Sequence, residues 1–280
     1  MQIEKTVSGV RSQVKKWKKE GLSVGLVPTM GYLHEGHQSL IDRAVEENDR
    51  VVVSIFVNPI QFGPTEDLAT YPRDLEADCI LCKRAGAALV FAPEVSEMYA
   101  EDFSTFVDTS QVTEELCGKS RPTHFRGVCT VVSKLFHIAS PDRAYFGQKD
   151  AQQLAVIRRM VRDLNIDIEI VGCPIIREAD GLAKSSRNTY LSPEERKAAL
   201  VLSKAIFTGK AMVETGEKDG EKVLGAMRNI IEAEPLARID YVEMVHWDTI
   251  QPHHRIDGPI LTAIAVYIGN TRLIDNFLYE

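Results

Sequence analysis

Up to about residue 175 the chain alternates short apolar runs with amphipathic stretches. Leu22–Val27, Val51–Val57, Ala87–Phe91, Arg143–Phe146 and Ile166–Val171 are largely apolar with little alternation, as expected of strands buried on both faces of a parallel sheet. Ser8–Glu20, Ser39–Asn48, Asp74–Ala85, Thr123–Ala139 and Asp150–Asn165 carry helical spacing between them. Strand alternating with helix predicts an α/β fold with a doubly wound parallel sheet. The pattern then changes. Ser192-Pro193-Glu194-Glu195 reads as a helix start, with Ser192 as N-cap, Pro193 in the first helical position and Glu195 closing a capping box. That helix is expected to run to about Phe207. A second helix over Gly220–Glu232 precedes three strand-like runs, Ile239–Val245, Ile260–Ile268 and Leu273–Leu278. Helices followed by strands predict a smaller C-terminal α+β domain. The expected division is 1–175 and 176–280.

Composition narrows the function classes. The chain has 280 residues, 44% hydrophobic and 26% charged, enough apolar content for a substantial core. Its net charge of −7 argues against a general nucleic-acid binder. The run Lys15, Lys16, Lys18 and Lys19 reads as a solvated helix face. Five cysteines, an odd number, form no evident disulfide framework. Cys79-x-x-Cys82 falls within a helical stretch and has no second pair at zinc spacing. No apolar run reaches membrane-spanning length, and Met1–Lys5 opens no signal peptide. The expectation is a soluble, cytoplasmic protein with neither membrane nor nucleic acid as partner.

Ligands of doubly wound sheets bind beyond the carboxyl ends of the strands. Three polar clusters fall there. Gly31-Tyr32-Leu33-His34-Glu35-Gly36-His37 joins the first apolar run to a helix. A helix N-terminus offers unpaired N–H groups to an anion, glycine permits close approach, and histidine donates hydrogen bonds. The two histidines are three apart, not four as in the zinc-protease motif. Asn58–Phe62 follows the next strand, and Gln61 suits the hydroxyls and carboxylate of a small acid. Gly147-Gln148-Lys149-Asp150 ends a further strand. There Asp150 is placed to cap a helix, Lys149 to meet a phosphate, and Gln153 to sit on the first turn. Ala183–Asn188 joins hydroxyls to cations at the domain junction. A capped helix, a turn on Pro59 and a polar linker are the plain structural alternatives for these segments.

Taken in order, these segments resemble the pantoate–β-alanine ligases, the pantothenate synthetase family. The likeness is carried by Val27–His37, Phe56–Phe62, Tyr71–Asp74, Arg121–Gly127, Tyr145–Asp150 and Arg177–Asn188. The resemblance implies a Rossmann-like domain of the nucleotidyltransferase type, a C-terminal lid domain and a homodimer. It implies condensation of pantoate with β-alanine, with ATP giving AMP and pyrophosphate through a pantoyl adenylate, and magnesium on the triphosphate. It assigns ATP to Met30, Gly31, Tyr32, Leu33, His34, Glu35, Gly36 and His37. It adds Gly147, Gln148, Lys149, Asp150 and Ile176, and the loop Lys184, Ser185, Ser186 and Arg187. Gln61 and Gln153 become the substrate contacts, and His34, His37 and Lys149 the catalytic donors. The family usually has Met or Leu at the place of Lys184, so the backbone N–H there is expected to be the shared feature. Arg121, His124 and Arg126 have the chemistry to hold a carboxylate, and the resemblance assigns them no role.

Two rival readings remain at this level. Another nucleotidyltransferase would keep the histidine turn but surround its acceptor with cations rather than Gln61 and Gln153. A non-catalytic nucleotide- or RNA-binding module would suit a basic chain better than this acidic one.

Overall fold

A computed structural model describes residues 1–64 and 66–280. In chain order the elements are β1 (Gln2–Glu4), α1 (Val7–Lys19), β2 (Val24–Thr29), α2 (Glu35–Glu47), β3 (Arg50–Ile55), α3 (Leu75–Arg84), β4 (Leu89–Phe91), the short helices α4 (Val95–Met98) and α5 (Cys117–Ser120), and α6 (His124–Ala139). There follow β5 (Arg143–Gly147), α7 (Ala151–Asp163), β6 (Glu169–Cys173), α8 (Pro193–Ala198), α9 (Leu200–Glu214), α10 (Gly220–Glu232), β7 (Ala237–His246), β8 (Ile260–Ile268) and β9 (Thr271–Tyr279).

Two compact units result. The first holds Met1–Thr109, Thr123–Gln148 and Val156–Pro174. Its sheet runs β1-β4-β3-β2-β5-β6, and each strand pair is parallel. Val24, Leu26 and Val27 of β2 and Val51, Val52 and Val53 of β3 are buried, so apolar runs without alternation are right for these strands. The strand order reverses between β2 and β5, which makes the ends of those two strands the switch point. Thr29–His37 follows β2, and Gln148 follows β5. The edge strand β1 was not foreseen: three residues with one half-buried side chain leave no periodic signal. The first apolar run also starts late. Leu22 N–H donates to Trp17 O at 3.0 Å and closes α1, so β2 begins at Val24.

The second unit holds Ser110–Pro122, Lys149–Ala155 and Ile175–Glu280. Its sheet is antiparallel, ordered β7-β8-β9. Leu202, Ile206, Val223, Met227, Ile264 and Phe277 are among the buried side chains that join α9 and α10 to it. Two stretches expected in the N-terminal domain fall in this unit. Buried Gln152 links them: Nε2 donates to Val112 O and Glu115 O at 3.1 and 2.7 Å, and Oε1 accepts from Cys117 N–H at 2.9 Å. The capping box at Ser192 and Glu195 forms as expected. The helical run passes Phe207, turns at Ala199 and ends at Glu214, because apolar residues on its buried face continue to Val213.

Candidate active site

The turn after β2 is held on two sides. Thr29 O–H donates to Ser54 O at 2.7 Å, and Thr29 Oγ1 accepts from Gly31 N–H at 3.2 Å. Gly31 has φ +84°, and a Cβ there would stand 2.9 Å from Asp78 Oδ2 and 3.0 Å from Ile55 Cγ2. Tyr32 is also left-handed, with φ +52°. The carboxylate of Asp78, on α3, receives the next two amides, Tyr32 N–H at 2.8 Å and Leu33 N–H at 2.6 Å. Burial raises the pKa of Asp78, against the lowering effect of these two hydrogen bonds.

His34 is the N-cap of α2, and His37 lies in its first turn. The pair forms a capping box built from imidazoles. His34 Nδ1 accepts from Gly36 N–H at 3.1 Å, and His37 Nδ1 accepts from His34 N–H at 3.3 Å. Each Nδ1 is therefore an acceptor, which assigns the proton of each neutral ring to Nε2. The ring centroids are 4.2 Å apart. Both rings act as hydrogen-bonding caps at a helix N-terminus, where partial positive charge favours an anion.

Gln61 is buried in the same unit, in a short 3-10 turn over Pro59–Gln61. Its Nε2 meets Met30 Sδ at 3.0 Å, and its Oε1 accepts from Asn58 Nδ2 at 3.0 Å. Asn58 also donates to Gly127 O at 3.1 Å and accepts from Tyr99 O–H at 2.7 Å. His124 Nδ1 donates to Gln61 O at 3.0 Å. Gly127 is needed for this approach, since a Cβ on it would lie 2.5 Å from both Gln61 Cα and Ile60 O. His124 and Gly127 of the Arg121–Gly127 motif thus have a structural reason: through them α6 supports the turn that carries Gln61.

Gln148–Asp150 forms a 3-10 turn ahead of α7, with Lys149 and Asp150 in the second unit. The 3-10 turn itself includes Asp150, and its carboxylate lies 3.8 Å from Lys149 Nζ. Gln153 is half-buried on the first turn of α7. Ile176–Lys184 folds back on itself: Arg177 bridges Ala183, and Lys184 N–H donates to Ile176 O at 2.9 Å. The backbone N–H of Lys184, expected to be the shared feature at this position, closes the hairpin. Ser185 then caps a 3-10 turn over Ser186–Tyr190, accepting from Arg187 N–H at 3.3 Å. Asn188 Nδ2 ties that turn back to Glu178 Oε1 and Ala183 O, each at 3.1 Å.

Cys82 is buried on α3, and burial pushes its thiol up to about 12, so it is inert at neutral pH. Among the described residues no three His, Cys, Asp or Glu side chains are placed to hold a metal ion. No described helix is long and apolar enough to cross a membrane. Asp78 and Asn58 were not singled out as site residues. Asp78 shares a helix face with buried Cys82, and a carboxylate on such a face is the signal that would have found it.

A parallel doubly wound sheet with a histidine–glycine turn at its switch point, together with a second unit built on an antiparallel sheet, is the nucleotidyltransferase-type α/β arrangement. Residues 2–278 match the family model described as pantoate-beta-alanine ligase. A pantothenate synthetase of Ruminiclostridium cellulolyticum is 66% identical over 279 residues, spanning 100% of this chain and 99% of that one. The crystal structure of a pantothenate synthetase from Thermus thermophilus has TM-score 0.94 and 47% identity, over 99% of each chain. A pantoate-beta-alanine ligase of Francisella tularensis, crystallised with beta-gamma ATP and beta-alanine, has TM-score 0.81 and 33% identity, over 99% of this chain and 97% of that one. The chain belongs to the pantoate–β-alanine ligase family, and it is a ligase.

Proposed function

We propose that the chain joins pantoate to β-alanine in two steps with ATP as the activating substrate. A carboxylate and an amine do not condense without an activated acyl group, and transfer to AMP supplies one. The pantoate carboxylate attacks the α-phosphorus, and pyrophosphate leaves. The β-alanine amine then attacks the acyl carbon, the C–O bond to the phosphate breaks, and AMP leaves.

The observation that carries this reading is the imidazole capping box. With both Nδ1 atoms accepting, His34 and His37 are set as Nε2–H donors to charge developing at the α-phosphate. Met30–His37 and Gly147–Asp150 are assigned to ATP, with Lys149 on phosphate. Ile176 is assigned to the adenine and Lys184–Arg187 to the phosphates. Gln61 and Gln153 are assigned to pantoate and the β-alanine path. Neutral amides there favour a small hydroxy acid over a phosphorylated acceptor, which sets the rival nucleotidyltransferase reading aside. Asp150, the carboxylate next to Lys149, would help to hold magnesium brought by the triphosphate, which would neutralise charge on the phosphates. The domain over 1–175 is assigned ATP and pantoate, and 176–280 the role of a lid. A cytoplasmic homodimer completes the proposal.

The test is product formation. With ATP and magnesium, AMP should accumulate only when pantoate and β-alanine are both present. AMP that forms as fast without either acid contradicts the proposal.

A further inference from the structure

The C-terminal strand carries no recognisable motif, yet its burial pattern is unusual. A strand of a two-layer unit alternates inward and outward side chains. On β9 the alternation stops at Asp275, Asn276 and Phe277, which are 2%, 4% and 5% exposed. Three successive buried positions mean that both faces of the strand are covered there. Asp275 lies on the face of Leu273 and Phe277, which belong to the core with α9 and α10. Asn276 lies on the other face.

Each of these two polar side chains holds a different segment of the second unit. Asp275 forms a bidentate pair with Arg177, at 2.7 Å from Nη1 to Oδ2 and 2.9 Å from Nη2 to Oδ1. Arg177 Nη1 also donates to Gly181 O at 3.0 Å, and the guanidinium lies over the Phe207 ring at 4.9 Å. Arg177 is thereby fixed at the base of the hairpin that ends at Lys184 and leads into Ser185–Arg187. Asn276 Nδ2 donates to Lys149 O at 2.9 Å. Asn276 N–H donates to Asp275 Oδ1 at 2.8 Å, so the two side chains are linked as well as adjacent.

We infer that Asp275 and Asn276 are positioning residues for the two phosphate-gripping segments of the second unit, setting Lys149 and the Lys184–Arg187 loop in register through one strand. The inference rests on the assignment of those segments to ATP. A buried ion pair is weak evidence for added stability, because desolvation offsets much of its attraction. Its two parallel hydrogen bonds instead fix orientation. The amide of Asn276 likewise fixes one carbonyl, that of the residue whose ammonium is to meet a phosphate. A displacement of about 1 Å at such a group costs up to about a hundredfold in rate.

The experiment compares steady-state constants of full-length variants in pantoate-dependent ATP–pyrophosphate exchange. Asn276→Asp keeps the side-chain volume and replaces the donor to Lys149 O with an acceptor. It should raise KM for ATP about tenfold and leave KM for pantoate within about twofold, a split that general loss of folded protein does not produce. Asn276→Ala, which introduces no buried charge, should show the same split and serves if the carboxylate prevents folding. Arg177→Lys keeps the charge but loses the bidentate geometry, and should raise KM for ATP by a smaller factor. Lys149→Ala separates the two levels. If it raises KM for ATP while folded Asn276 variants leave KM unchanged, the positioning role is overturned. If Lys149→Ala itself leaves KM for ATP unchanged, the assignment of Lys149 fails and the inference falls with it.

Discussion

The two strand-to-helix turns at the switch point, after β2 and after β5, are built differently. The turn from β2 to α2 is nearly self-contained: His34, Gly36 and His37 cap one another within four residues. Asp78, on the next helix, reaches in from outside to hold Tyr32 and Leu33. The turn from β5 to α7 is a 3-10 turn over Gln148–Asp150. Lys149 is followed by a carboxylate, and its carbonyl is held by Asn276, on the last strand. A locally built turn leaves a motif in the sequence. A turn fixed from far along the chain leaves only its own few residues, and the residue that holds it goes unnoticed.

The largest expected effect tests the first turn. His37→Ala removes one phosphate donor and one member of the capping box, and should lower kcat for adenylation by about 10²–10³, as for loss of an oxyanion donor. Thermal unfolding should shift by no more than the loss of a cap explains, about 0.5–2 kcal/mol. Wild-type exchange rates in His37→Ala would dissolve the contrast between the turns.

Gly127→Ala comes next. Its Cβ would press on Gln61 and Ile60 backbone atoms rather than on a flexible side-chain tip, so the cost is an overpacking one of about 1–3 kcal/mol. Denaturation should show that loss, and KM for pantoate should rise because Gln61 moves. An unchanged midpoint and KM would mean that α6 does not support the turn.

Asp78→Asn is expected to be milder at neutral pH and informative across pH. The folded protein holds a proton at Asp78 more tightly than the unfolded chain does, because burial raises its pKa. Stability from this group is therefore greatest at low pH. It falls as pH rises from the ordinary carboxylate value to the raised one. Asp78→Asn should remove that falling component from a plot of unfolding free energy against pH. An identical slope in both proteins contradicts the assignment. The smallest effect is expected of Lys184→Met, which keeps the N–H that closes the hairpin on Ile176 and should retain most activity. A loss of a hundredfold or more would show that the ammonium itself matters.

Much of the fold was legible because buried parallel strands are apolar throughout and their helices are amphipathic. Gly220–Glu232 and Ile260–Ile268 have the bounds that periodicity suggests. Histidine and glycine at the end of β2, and lysine at the end of β5, were legible as candidate chemistry for a related reason: strand ends at a switch point are where ligands bind. Contacts far apart in sequence were not. Gln152 joins Ser110–Pro122 to Lys149–Ala155, and Ser120 with Asp240 and Lys149 with Asn276 tie these stretches to the second unit, through hydrogen bonds that no local pattern encodes. Asp275 and Asn276 stand in an ordinary β-strand run, and their pairing with Arg177 and Lys149 follows only from the folded chain.

The central claim is that the pantoate carboxylate attacks the α-phosphorus of ATP. Pantoate labelled with ¹⁸O in its carboxylate, turned over with ATP and β-alanine, tests it directly. The account predicts that one labelled oxygen per turnover appears in AMP and none in pyrophosphate. AMP free of label would contradict it.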